Sequence, residues 1–135
     1  MDCLFCAIIA GDVPARQIHA DEHAVAFLDI APWHRGHTLV VPRQHVADVL
    51  EPSTALIDIA PAIETVSRLL VDRLGAEGLN LLVNNRAVAG QEVFHLHVHV
   101  VPRFGEHPGM RGLFAPDPAA GGELDALHAL LTAAS

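Results

Sequence analysis

Apolar residues fall into short runs separated by polar or Gly/Pro breaks, and the period of each run predicts an element. Ala7-Ile8-Ile9-Ala10 reads as a short helical turn stopped by Gly11 and Pro14. Arg16 to Ala20 and Ala24 to Asp29 read as strands joined through the polar Asp21-Glu22-His23 turn. His37 to Pro42 is a third strand, nearly all apolar after His37, as expected where both faces are covered. Ile59, Ile63, Val66, Leu70 and Leu74 then recur at spacings of four and three, which predicts an amphipathic helix ended by Gly75. Pro61 must lie in its first turn or separate it from a turn at Ser53 to Asp58. Leu79 to Asn84 and Phe94 to Val101 predict the fourth and fifth strands, with a loop from Asn85 to Glu92 between them and Pro102 closing the last. From Phe104 to Gly122 the chain is rich in Gly and Pro and reads as irregular, before a short helix with Leu124, Leu127 and Leu131 on one face. The sum is an α+β fold, a five-stranded antiparallel sheet with one long helix packed on it.

Composition narrows the function. The 135 residues contain no repeat or linker, so one domain is expected over 1–135, with its core in 1–103 and a variable C-terminal segment in 104–135. Hydrophobic residues make up 51% and charged residues 18%, which excludes intrinsic disorder. A formal net charge of -8 argues against a partner such as nucleic acid or an anionic membrane, because either needs a cationic footprint. A small phosphorylated ligand stays compatible, since a pocket can be donor-rich under an acidic surface. No basic segment followed by an apolar export core, and no apolar run of about 18 residues, is present, so a cytoplasmic location is expected. Both cysteines lie in one CxxC, Cys3 to Cys6, a spacing that in a reducing compartment points to metal or redox chemistry sooner than a disulfide.

Three of the ten histidines form His95-Leu96-His97-Val98-His99. On a strand the three imidazoles share one face while Leu96, Val98 and Val100 share the other, so one face builds core and the other a site. A polar outer face would not explain three identical titratable rings beside such apolar neighbours. Three ligands to one metal is a second reading, but the outer Cα atoms of such a strand are about 13 Å apart, against zinc–nitrogen bonds of about 2.0 to 2.1 Å. The third reading is phosphoryl chemistry, in which one neutral imidazole attacks phosphorus and a neighbour donates hydrogen bonds or a proton. Crowding discourages all three from being charged together. The preceding loop, Asn84 to Gln91, supplies amide donors and a Gly where backbone can approach an anionic oxygen.

The run Gly90 to Arg103, together with Gly36-His37-Thr38-Leu39-Val40-Val41-Pro42 and Phe27-Leu28-Asp29-Ile30, resembles the histidine triad family, and most closely its branch of nucleotide-binding proteins. The resemblance implies that His97 is the nucleophile toward the α-phosphorus of a nucleotide, that His99 contacts the phosphate and assists the leaving group, and that His37 supports the triad. It further implies Asn84, Gln91, Glu92 and the backbone at Gly90 around the phosphate, Asp29 on the ribose hydroxyls, and Phe5, Ile8, Phe27 and Ile30 around a purine base. Relatives of this branch are homodimers whose sheet continues across the two subunits, and the same is expected here. Arg86 stands where many relatives have Gly, and Glu92 where some have Ser or Thr.

Structural zinc wants four ligands, of which Cys3 and Cys6 supply two. His45 and His95 are the natural remaining pair, and family members carrying these four residues bind zinc there. A metal-free thiol pair is the alternative. His19, His23, His34, His107 and His128 read as solvated, and Trp33 as core, oligomer contact or pocket rim.

The expected activity is hydrolysis at the α-phosphate of a purine nucleotide conjugate through a covalent His97 intermediate, with zinc structural and no catalytic cofactor. Three rivals remain: a dinucleoside polyphosphate hydrolase, a nucleotide-binding or adaptor protein with incidental hydrolysis, and a metallohydrolase using the triad as ligands.

Overall fold

The computed structural model describes residues 3–114 and 118–134. Helix α1 (Leu4–Ala10) precedes β1 (Gln17–Ala20), β2 (Ala24–Leu28) and β3 (Thr38–Pro42). The long helix α2 (Ala55–Leu74) leads to β4 (Gly78–Leu82), a 3-10 turn (Ala87–Ala89) and β5 (Val98–Arg103). Helices α3 (Gly109–Leu113), α4 (Pro118–Gly122) and α5 (Leu124–Thr132) follow. The five strands form one sheet in the order β1-β2-β3-β5-β4, with every neighbouring pair antiparallel.

Both faces of the sheet are covered. Ala24, Ala26, Leu28, Val40, Val98 and Val100 bury against Ile59, Val66 and Leu70 of α2 and Leu127 and Leu131 of α5. Alternation turns Val25, Phe27, Leu39 and Val41 to the opposite face, against Phe5 and Ile8 of α1. His99 pairs with Leu39 in register and so belongs to the α1 face. The helix thus supplies the main apolar core, and the face opposite it carries the site.

Several boundaries differ from expectation. Helix α1 begins at Leu4 because the Cys3 side chain accepts from the Cys6 backbone N–H (3.4 Å) and caps its N-terminus. Helix α2 runs unbroken from Ala55 with Pro61 inside it rather than in its first turn. Pro61 and Ile57 are both exposed, so the carbonyl that loses its partner faces water. Strand β5 begins only at Val98: Phe94 to His97 leave the β3 ladder, and the Leu96 N–H donates instead to the Val46 carbonyl (2.8 Å). The region after Arg103 also holds two short helices, which bury Leu113 and Ala120.

Gly36 marks the close approach that fixes the entry to β3. Its φ is +83°, and a Cβ there would lie 2.5 Å from Leu74 Cδ1. The turn therefore presses against the end of α2 and delivers His37 to the other side of the sheet.

Candidate active site

Backbone groups assign the tautomer of each triad imidazole. The His95 carbonyl can only accept, so His97 Nδ1–H donates to it (2.7 Å) and His97 Nε2 carries the free lone pair. The Trp33 backbone N–H donates to His37 Nδ1 (3.0 Å), which puts the His37 proton on Nε2. That Nε2–H donates to His99 Nδ1 (2.9 Å), leaving His99 with its proton on Nε2. Neighbouring imidazoles 5.0 Å apart between ring centres, His97 and His99, therefore present a bare nitrogen and an N–H donor.

Burial keeps these rings neutral. His97 and His99 are 6% and 7% exposed and His37 1%. Desolvation, with repulsion from His34 and His97 added, holds His37 at about 3. Desolvation likewise holds His99 at about 3, with repulsion from His37 and His97 outweighing attraction from Asp29. His97 is also pushed down by burial, opposed by its bond to the His95 carbonyl and by Asp29. A neutral imidazole is the form with a lone pair to share.

His97 and His99 line a cavity of about 570 Å³. Phe5, Ile8, Phe27 and Ile30 line it too, as do Asp29, Asn84, Gly90 and Glu92. Phe5 meets His97 edge-on (5.0 Å) and Phe27 edge-on (5.4 Å), so α1 forms a wall against the reactive ring. Asp29 Oδ1 accepts from the Ala31 N–H (2.9 Å), and Oδ2 lies 3.7 Å from His37 Nε2, beyond hydrogen-bond length. That oxygen is available to ligand hydroxyls.

Gln91 is placed differently. Its Oε1 accepts from the Arg86 N–H (2.7 Å), and its Nε2 donates to the carbonyls of Ala47 (2.6 Å) and Val93 (3.1 Å). Buried and committed on both ends, it shapes the loop and does not line the cavity. Arg86 itself has φ +74°, a conformation that favours glycine, which is the residue expected there from the family pattern.

Trp33 belongs to the site. Its indole stacks on His99 (4.8 Å, 12°) and packs against Phe114 (5.2 Å), and it lines the cavity. Its place in a loop leaves three roles open in the sequence, because nothing in such a motif fixes ring orientation. His34 is buried, not solvated: its ring lies 2.7 Å from the Gly112 carbonyl, to which Nε2–H donates.

Cys3, Cys6, His45 and His95 bring one donor atom each within 4.8 Å of one another. The Pro42 carbonyl takes the His95 Nε2–H (2.8 Å), so His95 Nδ1 turns its lone pair to this cluster. It lies 3.1 Å from His45 Nδ1, 3.4 Å from Cys3 Sγ and 3.5 Å from Cys6 Sγ, and Cys6 Sγ lies 3.3 Å from His45 Nδ1. A tetrahedral zinc with bonds of about 2.05 Å to nitrogen and 2.3 Å to sulfur has edges of about 3.3 Å between nitrogens, 3.6 Å from nitrogen to sulfur and 3.8 Å between sulfurs; the four distances above lie within about 0.3 Å of these, so the donor set fits. Burial also pushes the Cys6 thiol up, with Cys3 adding to it, a burden that a dication would relieve. The other metal-capable group among the described residues is Asp29, His37 and His99, and His97 belongs to neither.

An antiparallel sheet that, with the segment entering its β5 strand, turns His97 and His99 toward one apolar-walled cavity is a histidine triad architecture. Residues 10–106 match the HIT domain family, and the chain belongs to that family. It is 44% identical over 109 residues to "Protein hit" of Bacillus subtilis, covering 80% of this chain and 75% of that one. Adenosine 5'-monophosphoramidase hnt1 of Schizosaccharomyces pombe is 37% identical over 128 residues, covering 94% of this chain and 93% of that one. The crystal structure of a zinc-bound histidine triad family protein from Mycobacterium smegmatis superposes with a TM-score of 0.80 at 39% identity, covering 97% and 94% of the two chains. Among the described residues no helix is long and apolar enough to cross a membrane.

Proposed function

We propose that this protein hydrolyses purine nucleoside phosphoramidates or related nucleotide conjugates at the α-phosphate, through a nucleotidyl intermediate on His97. The observation that carries the reading is the tautomer pair: His97 Nδ1–H is tied to the His95 carbonyl, and His99 Nδ1 is tied to His37. The base would lie among Phe5, Ile8, Phe27 and Ile30, and the ribose against Asp29. Asn84, Gly90 and Glu92 would border the phosphate, with Gln91 holding the loop in shape.

In the first half-reaction the His97 Nε2 lone pair forms a bond to phosphorus. The bond from phosphorus to the leaving atom breaks, its electron pair staying on that atom, which takes the Nε2 proton of His99. The charge His99 gives up is matched by the charge the phosphorylated His97 ring gains, so the pair stays neutral overall. In the second half a water oxygen attacks phosphorus, its proton returns to His99 Nε2, and the electron pair of the broken bond returns to His97. The products are a nucleoside monophosphate and the protonated leaving group. All of this is done by the protein's own imidazoles.

Zinc in the Cys3–Cys6–His45–His95 cluster is proposed to be structural, supported by the tetrahedral donor spacing. It would tether α1, and with it Phe5, to the segment presenting His97. One domain over 1–135, a homodimer with a continued sheet and a cytoplasmic location complete the proposal; the name of the S. pombe relative supports the activity. The test is turnover of adenosine 5'-phosphoramidate against a diadenosine polyphosphate, with His97→Ala as control. The amidate should be preferred, and the variant should lose at least about 10³-fold. Preference for the polyphosphate would favour the dinucleotide rival, and wild-type turnover that a chelator abolishes while the fold stays intact, with a metal between His97 and His99, would favour a metallohydrolase.

A further inference from the structure

Resting on that reading, we propose that Trp33 is the positioning residue for proton delivery: it holds His99 in the one orientation that presents Nε2–H to the leaving atom. Two independent contacts converge on this. The Trp33 backbone N–H fixes the His37 tautomer (3.0 Å), and through it the acceptor role of His99 Nδ1. The Trp33 indole then lies almost parallel to His99 (12°, 4.8 Å) and tilted against His37 (4.6 Å). A single residue thereby sets both the proton position and the plane of the ring that carries it.

The arrangement has few substitutes. His99 is held at Nδ1 by one hydrogen bond, which leaves rotation about its side-chain axis to be limited by packing. Trp33 is braced from the other side by the edge of Phe114 (5.2 Å). The nucleophile is held separately, by the His95 carbonyl and the edge of Phe5. Loss of the indole should therefore disturb the proton donor and spare the attacking nitrogen.

That separation yields a discriminating test. An amine leaves phosphorus only if it is protonated, whereas p-nitrophenolate leaves without a proton. With an AMP alkylphosphoramidate, Trp33→Ala should lower kcat by about 10- to 100-fold with little change in KM. With the p-nitrophenyl ester of AMP the same variant should lose at least about 3-fold less than with the amidate, and Trp33→Phe, which keeps a stacking ring, should recover most amidate turnover. Equal losses on both substrates, or no loss on the amidate, would overturn the proposal. Long-range ¹H–¹⁵N spectra of the ligand-free protein provide a readout that needs no turnover. Because the backbone N–H survives the substitution, all three proteins should keep the His99 Nε2–H tautomer, but wild type and Trp33→Phe should show sharp His99 ring signals and Trp33→Ala signals broadened by exchange between ring orientations. Sharp, wild-type-like His99 ring signals in Trp33→Ala would refute the positioning role even if the nucleotide reading fails, and failure of wild type on both substrates would count against that reading alone.

Discussion

Acid should unfold this protein through its triad, and the size of the effect follows from burial. His37 and His99 titrate at about 3 when folded, against 6.5 for a free imidazole. Both folded values lie below the unfolded one, so the unfolded chain binds more protons over the interval between them. The stability tied to neutral burial is therefore complete above pH 6.5 and is lost as pH falls from 6.5 toward 3. Each ring contributes a slope of about 1.4 kcal/mol per pH unit within that window, and integrating from pH 7 to pH 5 gives about 2 kcal/mol for each, or about 4 for the pair. Against a typical stability of roughly 5 to 15 kcal/mol this is a large fraction. Urea denaturation at pH 7 and pH 5 in zinc-supplemented buffer would read it as a midpoint shift of about 1 to 4 M. The control is His37→Asn/His99→Asn, which removes both titrating rings and should have a pH 7 to pH 5 difference about 4 kcal/mol smaller than wild type. Equal pH dependence in the two proteins would show that these imidazoles are not held neutral by the fold.

Other consequences are as direct. Replacing Arg86, at φ +74°, with Gly should raise stability by about 1 kcal/mol in urea denaturation; a less stable variant would mean that its side chain compensates for the strain. With zinc in the Cys3–Cys6–His45–His95 cluster as proposed, stripping it, or Cys6→Ser, should free α1 and expose Phe5 and Ile8, buried at 4% and 6%, at a cost of roughly 3 to 6 kcal/mol. Metal analysis and thermal melts check this, and an unchanged melt would sink it. Asp29→Asn should raise KM for a ribonucleotide conjugate about 10-fold or more while leaving the 2',3'-dideoxy analogue nearly unaffected; equal effects on both would remove Asp29 from ribose binding.

Much of this was legible because period and chemistry coincide. The α2 stripe of Ile59, Val66 and Leu70 and the alternation of Leu96, Val98 and Val100 against three histidines fixed which faces are core. The CxxC with His45 and His95 was legible as a candidate donor set from the places of the two histidines, after the third strand and at the start of the triad, and from the family resemblance. What escaped depends on geometry between distant segments. The helical continuity through Pro61 depends on which side of α2 meets water, and the late start of β5 on a Val46 carbonyl. Gln91 carries the same donors whether it faces a phosphate or its own loop, and only the positions of Arg86, Ala47 and Val93 decide between them. Trp33 reveals its role only through a stacking angle.

Rapid alkaline quenching of the protein in turnover with an AMP conjugate, followed by peptide mass spectrometry, interrogates the covalent step itself. The account predicts an adenylyl group on the peptide containing His97, absent from His97→Ala and retained in His99→Asn. Turnover without any adduct in the wild-type protein, or an adduct on His95 or His99 in its place, would contradict it.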